Sequence, residues 1–148
     1  MNLNKISDTD LKEEYNQRFM IENGKEINDS DGVIDHLKTF ITEHDREHFL
    51  IMYLNAKNQL MKTENLFTGT LTTSAIYPRE VIKRALAIGA AALIFAHNHP
   101  SGNPSPSNDD LRITDKLKAA CKTIDIAVHD HIIITGNEYT SFANKGLI

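Results

Sequence analysis

Four residues near the middle of the chain combine side chains that can bind a metal ion. They follow the pattern H-x-H, seven residues, S-x-x-D, and are His97, His99, Ser107 and Asp110. Two imidazoles and one carboxylate, with a fourth position left open, are what a catalytic zinc site requires. If the four residues converge in space, the sequence predicts a metal-dependent hydrolase with one zinc ion (Zn2+) per chain. Ligands of this kind also accept other divalent ions, so the identity of the metal stays open.

A buried strand must deliver the two histidines to the site. The apolar run Ala90–Ala96 predicts this strand, and it leads directly into His97. Side chains alternate along a strand, so His97 and His99 are expected to point to the same side. Residues 98–106 contain three of the four prolines and are therefore predicted to form a stiff loop.

A helix after this loop is expected to bring the carboxylate back to the histidines. Ser107 can cap a helix that runs to about Ile124 and carries Asp110 in its first turn. Taken alone, Ser107-x-x-Asp110 is also an ordinary capping box, which needs no functional explanation. The buried strand, the stiff loop and the capped helix together favour a metal site.

The remaining segments predict an α/β domain. We interpret residues 1–28 as an N-terminal helix and linker, loosely attached, and residues 29–148 as the domain itself. The mixture of helices and strands favours a mixed, mostly antiparallel central sheet flanked by helices. The other expected elements are helices over about 8–22, from residue 30 or 31, and over 78–88, a hairpin of strands 48–54 and 59–68, a short strand within 71–77, and strands over 126–135 and near 139–142.

Composition limits the functions that need to be considered. The chain has 148 residues, 41% of them apolar, which suits one domain with a real core. Its net charge of −4 and thinly spread lysines and arginines do not favour broad contact with DNA, although DNA binding stays possible. No membrane-spanning run and no secretory signal are visible in the sequence, so we expect a cytoplasmic protein without a membrane partner. The oligomeric state stays open, a homodimer included.

The pattern formed by His97, His99, Ser107 and Asp110 resembles the JAMM motif of MPN-domain metalloproteases. Other segments resemble the bacterial RadC family specifically, and the resemblance runs from about residue 30 to the C-terminus. It implies an MPN/JAB fold, a sandwich similar to that of cytidine deaminases. The segments that carry the resemblance to RadC proteins are Pro78-Arg79-Glu80, His97-Asn98-His99-Pro100-Ser101-Gly102 and Asp130-His131-Ile132-Ile133.

The resemblance also implies roles for individual residues. The two histidines and the aspartate of the motif become zinc ligands, and Ser107 becomes the group that positions water or stabilises the oxyanion. The general base of the family stands at the start of the first core strand, which favours Glu47, with Glu80 as the competitor. The implied reaction is hydrolysis of an amide or isopeptide bond in a peptide or protein through a metal-activated water.

Two other functions stay open. RadC-type proteins are associated by name with DNA repair, so a factor in repair or mobile-element maintenance without peptidase activity is the alternative. Full-length members of the RadC family resemble a helix-hairpin-helix segment followed by a domain of this kind. We therefore expect this protein to be a short member that lacks the helix-hairpin-helix segment. A metal-free scaffold ranks last, because all the ligands of the motif are present.

Two further histidine motifs compete with this site. His44–His48 matches H-x-x-E-H, which binds zinc on a continuous helix, but it stands where a helix should end and a strand begin. His129-Asp130-His131 is a second H-x-H without a third ligand at a useful spacing. Asp130 and His131 are expected either to support the zinc ligands from behind or to make ordinary hydrogen bonds at the edge of the sheet, and the pattern favours a structural role. Glu80 is a further candidate for support behind the ligands.

Two single residues are expected to play no part in the chemistry. His36 should face solvent on its helix. Cys121 should be a buried, inert thiol.

Overall fold

The computed structural model describes residues 5–148, which form four helices and five strands. None of these helices combines the length and apolar content needed to cross a bilayer. The elements are α1 (Asp8–Phe19), α2 (Ser30–Lys38), β1 (Glu47–Leu54), β2 (Leu60–Gly69), α3 (Pro78–Ile88), β3 (Ala92–Asn98), α4 (Asn108–Lys122), β4 (Ala127–Ile134) and β5 (Tyr139–Ser141).

The five strands form one sheet in the order β2-β1-β3-β4-β5. All neighbours are antiparallel except β3 and β4, which are parallel. This confirms the predicted α/β class and the mixed, mostly antiparallel sheet. The central strand β3 is buried along its whole length, as expected for an apolar run covered on both faces.

Each face of the sheet has its own apolar core. Residues that alternate along β1 and β3 point to opposite faces, and each fully buried large side chain contributes about 1.5–3 kcal/mol. Cys121 lies fully buried on the α4 side, where burial raises the pKa of its thiol. One core joins α2 (Val33, Ile34, Leu37) to Leu50, Met52, Leu54 and Ile94, and the other joins α3 and α4 (Val81, Ala85, Leu117, Cys121) to Phe49, Ile51, Leu93 and Phe95.

Strand β4 contains one extra residue relative to β3. Residues 93 and 94 of β3 are aligned with Val128 and Asp130, so His129 has no counterpart. An extra residue reverses the alternation of the side chains that follow it. As a result His131, and not Asp130, lies on the α4 side of the sheet, where its ring contacts Phe95.

Two details of the segment 71–88 differ from the sequence expectation. Residues 71–77 form turns and not a strand, because Thr72 accepts a backbone bond from Ala75 (3.0 Å) and folds the chain back on itself. Leu71 and Ile76 still bury their side chains, which explains why the segment reads as apolar. The helical spacing of Val81, Ala85 and Leu86 predicts inward side chains on α3, but Leu86 is 59% exposed.

The sequence suggested a loosely attached N-terminal linker, but backbone hydrogen bonds fix this linker to the sheet. Gly24 N–H donates to the carbonyl of Leu60 (2.6 Å), and Leu60 N–H donates to the carbonyl of Lys25 (2.8 Å). These bonds lay the linker along the outer edge of β2. Ile21 and Ile27 also pack against the α2 core.

His36 does not face solvent, contrary to expectation. It is 1% exposed, its Nδ1 accepts the backbone N–H of Ile21 (2.8 Å), and its Nε2 is hydrogen-bonded to Thr63 Oγ1 (2.8 Å). Burial lowers the pKa of His36 to about 4. The spacing on α2 could not show that the linker and β2 would cover this face.

Candidate metal centre and active site

Three potential metal ligands meet where β3 ends and α4 begins. His97 Nε2 lies 3.0 Å from Asp110 Oδ1, His99 Nε2 lies 3.0 Å from Asp110 Oδ2, and the two Nε2 atoms are 2.9 Å apart. His97 is fully buried and Asp110 is 2% exposed. The structure therefore brings together the three residues that the spacing predicted, as a buried group that a metal ion could occupy.

Asp110 reaches the histidines through the cap of α4. Ser107 Oγ accepts the backbone N–H of Asp110 (3.0 Å), and Asp110 Oδ2 accepts the backbone N–H of Ser107 (2.8 Å). This is the reciprocal capping box expected from the sequence. The two functions of the segment coexist, because the carboxylate that caps the helix also faces both imidazoles.

A chain of hydrogen bonds behind His97 decides which of its nitrogens carries the proton. The hydroxyl of Thr114 donates to the backbone carbonyl of Asp110 (2.7 Å), so its oxygen accepts from His131 Nδ1–H (2.5 Å). Burial keeps the pKa of His131 well below its ordinary value, so this ring is neutral and its Nε2 accepts from His97 Nδ1–H (2.8 Å). The lone pair of His97 Nε2 therefore points toward Asp110, as a metal ligand requires.

His99 is oriented in the same sense by the proline-rich loop. Its Nδ1–H donates to the backbone carbonyl of Asn103 (2.8 Å), which leaves the Nε2 lone pair facing Asp110. Burial alone would raise the pKa of Asp110, but when the Nε2 atoms of His97 and His99 carry protons their hydrogen bonds to this carboxylate outweigh burial and hold its pKa well below the ordinary value. A metal ion would take the place of those protons. Two nitrogen lone pairs and a carboxylate about 3 Å apart repel one another unless a cation lies among them. This donor set fits a divalent ion such as zinc.

Glu47 lines the same cleft as two of the three donors, His99 and Asp110. The cleft has a volume of about 840 Å³, and its walls include Glu47, His99, Ser107 and Asp110. Burial raises the pKa of the Glu47 carboxyl, and the nearby His97, His99 and Leu71 N–H only partly offset this effect. A carboxylate with a raised pKa is suited to accept a proton near neutral pH.

The side chain of Asn98, between the two histidines, fixes the position of Glu47. Asn98 Oδ1 accepts the backbone N–H of His48 (2.7 Å), and Asn98 Nδ2 donates to the backbone carbonyl of Arg46 (2.8 Å). These are the residues on either side of Glu47. The start of β1 is thus tied directly to the strand that carries the histidines.

The three residues expected to support the site lie in different places. His131 contacts His97, as described above. Glu80 lies in the first turn of α3 and is not among the residues that line the cleft. Asp130 points to the other side of the sheet because of the extra residue in β4, and accepts bonds from Ser141 Oγ (2.5 Å) and from the backbone N–H of Ala143 (2.9 Å).

The rival motif His44–His48 does not form a helix. Residues 44–46 form a turn and bend, and Glu47 and His48 begin β1, so the geometry that the inverted zinc motif needs is absent from this segment. His48 is 2% exposed and is bonded to the carbonyl of Glu43 (3.0 Å) and to Thr68 Oγ1 (3.1 Å). Its role in the structure is to join the α2–β1 loop to β2.

Sequence reasoning missed two residues of the site, Thr114 and Asn98. Thr114 follows Asp110 by four positions, so the two lie on the same face of α4, and this spacing was an available signal. Asn98 stands inside the H-x-H motif, but its side chain bonds to residues about fifty positions earlier. No local pattern reveals such a bond.

Comparison with known proteins places the chain in a family. The family model described as the RadC-like JAB domain matches residues 27–147. The chain belongs to this family. A UPF0758 protein of Pseudoalteromonas translucida is 46% identical over 91% of the chain, and the UPF0758 proteins YfjY and YeeS of Escherichia coli K12 are 44% and 52% identical over 88% and 70% of it. These matches confirm the resemblance that the motifs indicated.

The relatives differ in length. The chain spans 82% of YfjY and 70% of YeeS, but 62% of the Pseudoalteromonas translucida protein and 55% of a UPF0758 protein of Chromobacterium violaceum. The shared part is the RadC-like JAB domain, which fits a possible hydrolase.

Proposed function

We propose that this RadC-like JAB domain is a zinc-dependent hydrolase that cleaves an amide or isopeptide bond in a peptide or protein. One observation carries the proposal: Glu47 and Ser107 line the same cleft as His99 and Asp110, which form a donor group with the buried His97. A zinc ion bound by such a group acidifies water and polarises a carbonyl group.

Glu47 is the residue of the cleft best placed to move a proton. Its partly buried carboxylate would accept a proton from water and deliver it to the leaving amine. The hydrogen bonds of Asn98 to the backbone on both sides of Glu47 fix the main chain that carries this carboxylate, so the backbone loses little freedom when a substrate binds.

Ser107 is suited to stabilise developing negative charge. Its oxygen accepts the N–H of Asp110, and this bond does not use the hydroxyl hydrogen. The hydroxyl can therefore donate to a substrate oxygen in the cleft. Donors of this kind are worth about 3–4 kcal/mol of transition-state stabilisation in other hydrolases.

The test combines metal content with a peptidase screen. We expect wild type, purified and supplied with zinc, to hold one zinc ion per chain by elemental analysis, and His97→Ala/His99→Ala to hold none. Incubation with a peptide library, read by mass spectrometry, should reveal cleaved amide bonds. Glu47→Gln should keep the zinc and lose about 10²–10⁴-fold in rate.

Glu80→Gln is the matched control, because Glu80 is the competing base and lies outside the cleft. It should change neither zinc content nor rate. A wild type that binds no zinc, or a loss of rate in Glu80→Gln with none in Glu47→Gln, would contradict the proposal.

A further inference from the structure

A second cavity, which Glu47 does not line, adjoins the group of potential metal ligands at His99. It has a volume of about 590 Å³ and lies among α1, the end of α2, the loop after β3 and the end of β4. Like the cleft, it is lined in part by His99 and Pro100, so the cleft and the second cavity meet at the start of the proline-rich loop. Much of the remaining lining is apolar and comes from Leu11, Tyr15, Ile41 and Ile134.

The charges around the two spaces are opposite. The cleft is lined by four carboxylates, those of Asp45, Glu47, Asp109 and Asp110, and by one cation, Arg46, so its lining is net negative. The second cavity is lined by the side chains of Lys12, Lys38 and His44, and no carboxylate of residues 5–148 contributes to its wall. A ligand of the second cavity is therefore expected to carry negative charge next to an apolar group.

Helix α1 forms one wall of this cavity without being part of the core. Leu11, Tyr15 and Phe19 follow one another at four-residue intervals and form one apolar stripe, and Tyr15 and Phe19 are in ring contact (centroids 4.6 Å apart). No residue of α1 is buried, and Leu11 is 40% exposed. The helix thus presents an apolar face that the chain itself does not cover, and α1 precedes the segment matched by the family model.

We propose that this cavity is a substrate subsite for a polypeptide segment in which a large apolar side chain is flanked by carboxylates. The apolar side chain would lie against Leu11, Tyr15 and Ile41, and the carboxylates would pair with Lys12 and Lys38. This inference rests on the proposed function for the reaction, because it assigns the substrate class of that same site. Its binding contacts are nevertheless separate from the residues that would carry the chemistry.

The test uses the whole chain, the zinc-loaded Glu47→Gln variant and a synthetic probe, the blocked peptide Gly-Gly-Glu-Leu-Glu-Gly-Gly. We expect NMR titration to shift the resonances of Leu11, Tyr15 and Ile41. Replacing the leucine of the probe by glycine should weaken binding at least fivefold. Lys12→Glu/Lys38→Glu should bind the acidic probe at least fivefold more weakly. The same variant should gain affinity for a probe in which both glutamates are replaced by lysines.

Lys118→Glu/Lys122→Glu, which reverses two exposed charges on α4 outside the cavity, is the matched control and should bind the acidic probe as wild type does. Shifts confined to other surfaces, an unchanged affinity in Lys12→Glu/Lys38→Glu, or cavity shifts produced equally well by a single-stranded oligonucleotide would overturn the proposal. Burial of the cavity in a dimer, seen by sedimentation, would also overturn it.

The experiments distinguish a failure of the proposed subsite from a failure of the proposed hydrolase. Probe binding in the cavity without cleavage of any peptide by wild type would leave the subsite standing and reject the hydrolase. Cleavage of peptides whose KM does not respond to Lys12→Glu/Lys38→Glu would support the hydrolase and reject the subsite.

Discussion

The protonation state of His97 is decided by a residue that would not touch a bound metal ion. The Thr114 hydroxyl can donate once, and it donates to the carbonyl of Asp110. Every bond after it in the series, through His131 to His97, then has a fixed direction. Replacing the Thr114 hydroxyl by a methyl group should therefore change the protonation of His97 Nε2, the atom of β3 that would bind a metal ion.

We expect Thr114→Val to weaken zinc binding about 10–100-fold, because the carbonyl of Asp110 and the Nδ1–H of His131 lose their partner and His97 loses its fixed tautomer. Thr114→Ser, which keeps the hydroxyl, should bind zinc within about twofold of wild type. Competition with a chromogenic chelator measures the affinity, and ¹⁵N NMR of the imidazoles reports the tautomer.

Thr123→Val is the control for this exchange, because the hydroxyl of Thr123, the exposed C-cap residue of α4, also donates to a helix carbonyl, that of Ala120 (2.7 Å). It should leave zinc affinity unchanged. Equal losses in Thr123→Val and Thr114→Val would show that the hydroxyl acts only through helix stability.

At the scale of elements, one buried histidine holds the N-terminal linker, α2 and β2 together. His36 must be neutral to do so, because its Nδ1 lone pair accepts the N–H of Ile21. Its pKa in the fold is about 4, below the ordinary value of 6.5. The fold thus disfavours protonation, so this stability is complete above pH 6.5 and is lost progressively as the pH falls from 6.5 toward 4.

We expect His36→Gln to flatten this part of the stability profile. Glutamine cannot titrate, so between pH 7 and pH 4.5 the variant should lose about 2 kcal/mol less free energy of unfolding than wild type. Urea titrations at several pH values measure the difference. The exposed His44, changed to glutamine, is the control and should follow the wild-type profile. A parallel loss in wild type and His36→Gln would show that other groups govern the acid response.

At the scale of the molecule, the three potential metal ligands come from two separate parts of the fold. His97 lies in β3 and His99 directly follows it, whereas Asp110 lies in α4, across the proline-rich loop. An ion bound by all three stabilises the folded state, since the unfolded chain does not hold the ligands together.

We expect zinc to raise the melting temperature of wild type by roughly 10 °C when free zinc exceeds Kd about 1,000-fold. This corresponds to about 4 kcal/mol, at 2–4 °C per kcal/mol for a domain of this size. Differential scanning calorimetry with and without a chelator measures it. His97→Ala/His99→Ala should show no zinc dependence, whereas His129→Ala should behave as wild type. A zinc response that survives in the double variant would place the ion elsewhere.

The sequence predicted what is encoded locally. His97, His99, Ser107 and Asp110 lie close together in the chain, so strand alternation and a helix cap suffice to bring them together. The class of the sheet also followed from the order of apolar segments. Predictions failed where a feature depends on contacts between residues that are distant in the chain. The exposure expected for His36 and the loose linker were wrong, because the linker covers His36 and residues 24–27 pair with the edge of β2. The hydrogen bonds of Asn98 were missed.

The extra residue in β4 makes the site depend on strand register. The ladder skips His129, so Asp130 pairs with Ile94 and turns toward β5, while His131 pairs with Phe95 and turns toward His97. A ladder that paired His129 with Ile94 would shift every later residue of β4 by one position. It would place the Asp130 carboxylate behind the His97–His99–Asp110 group and the His131 imidazole on the opposite face of the sheet.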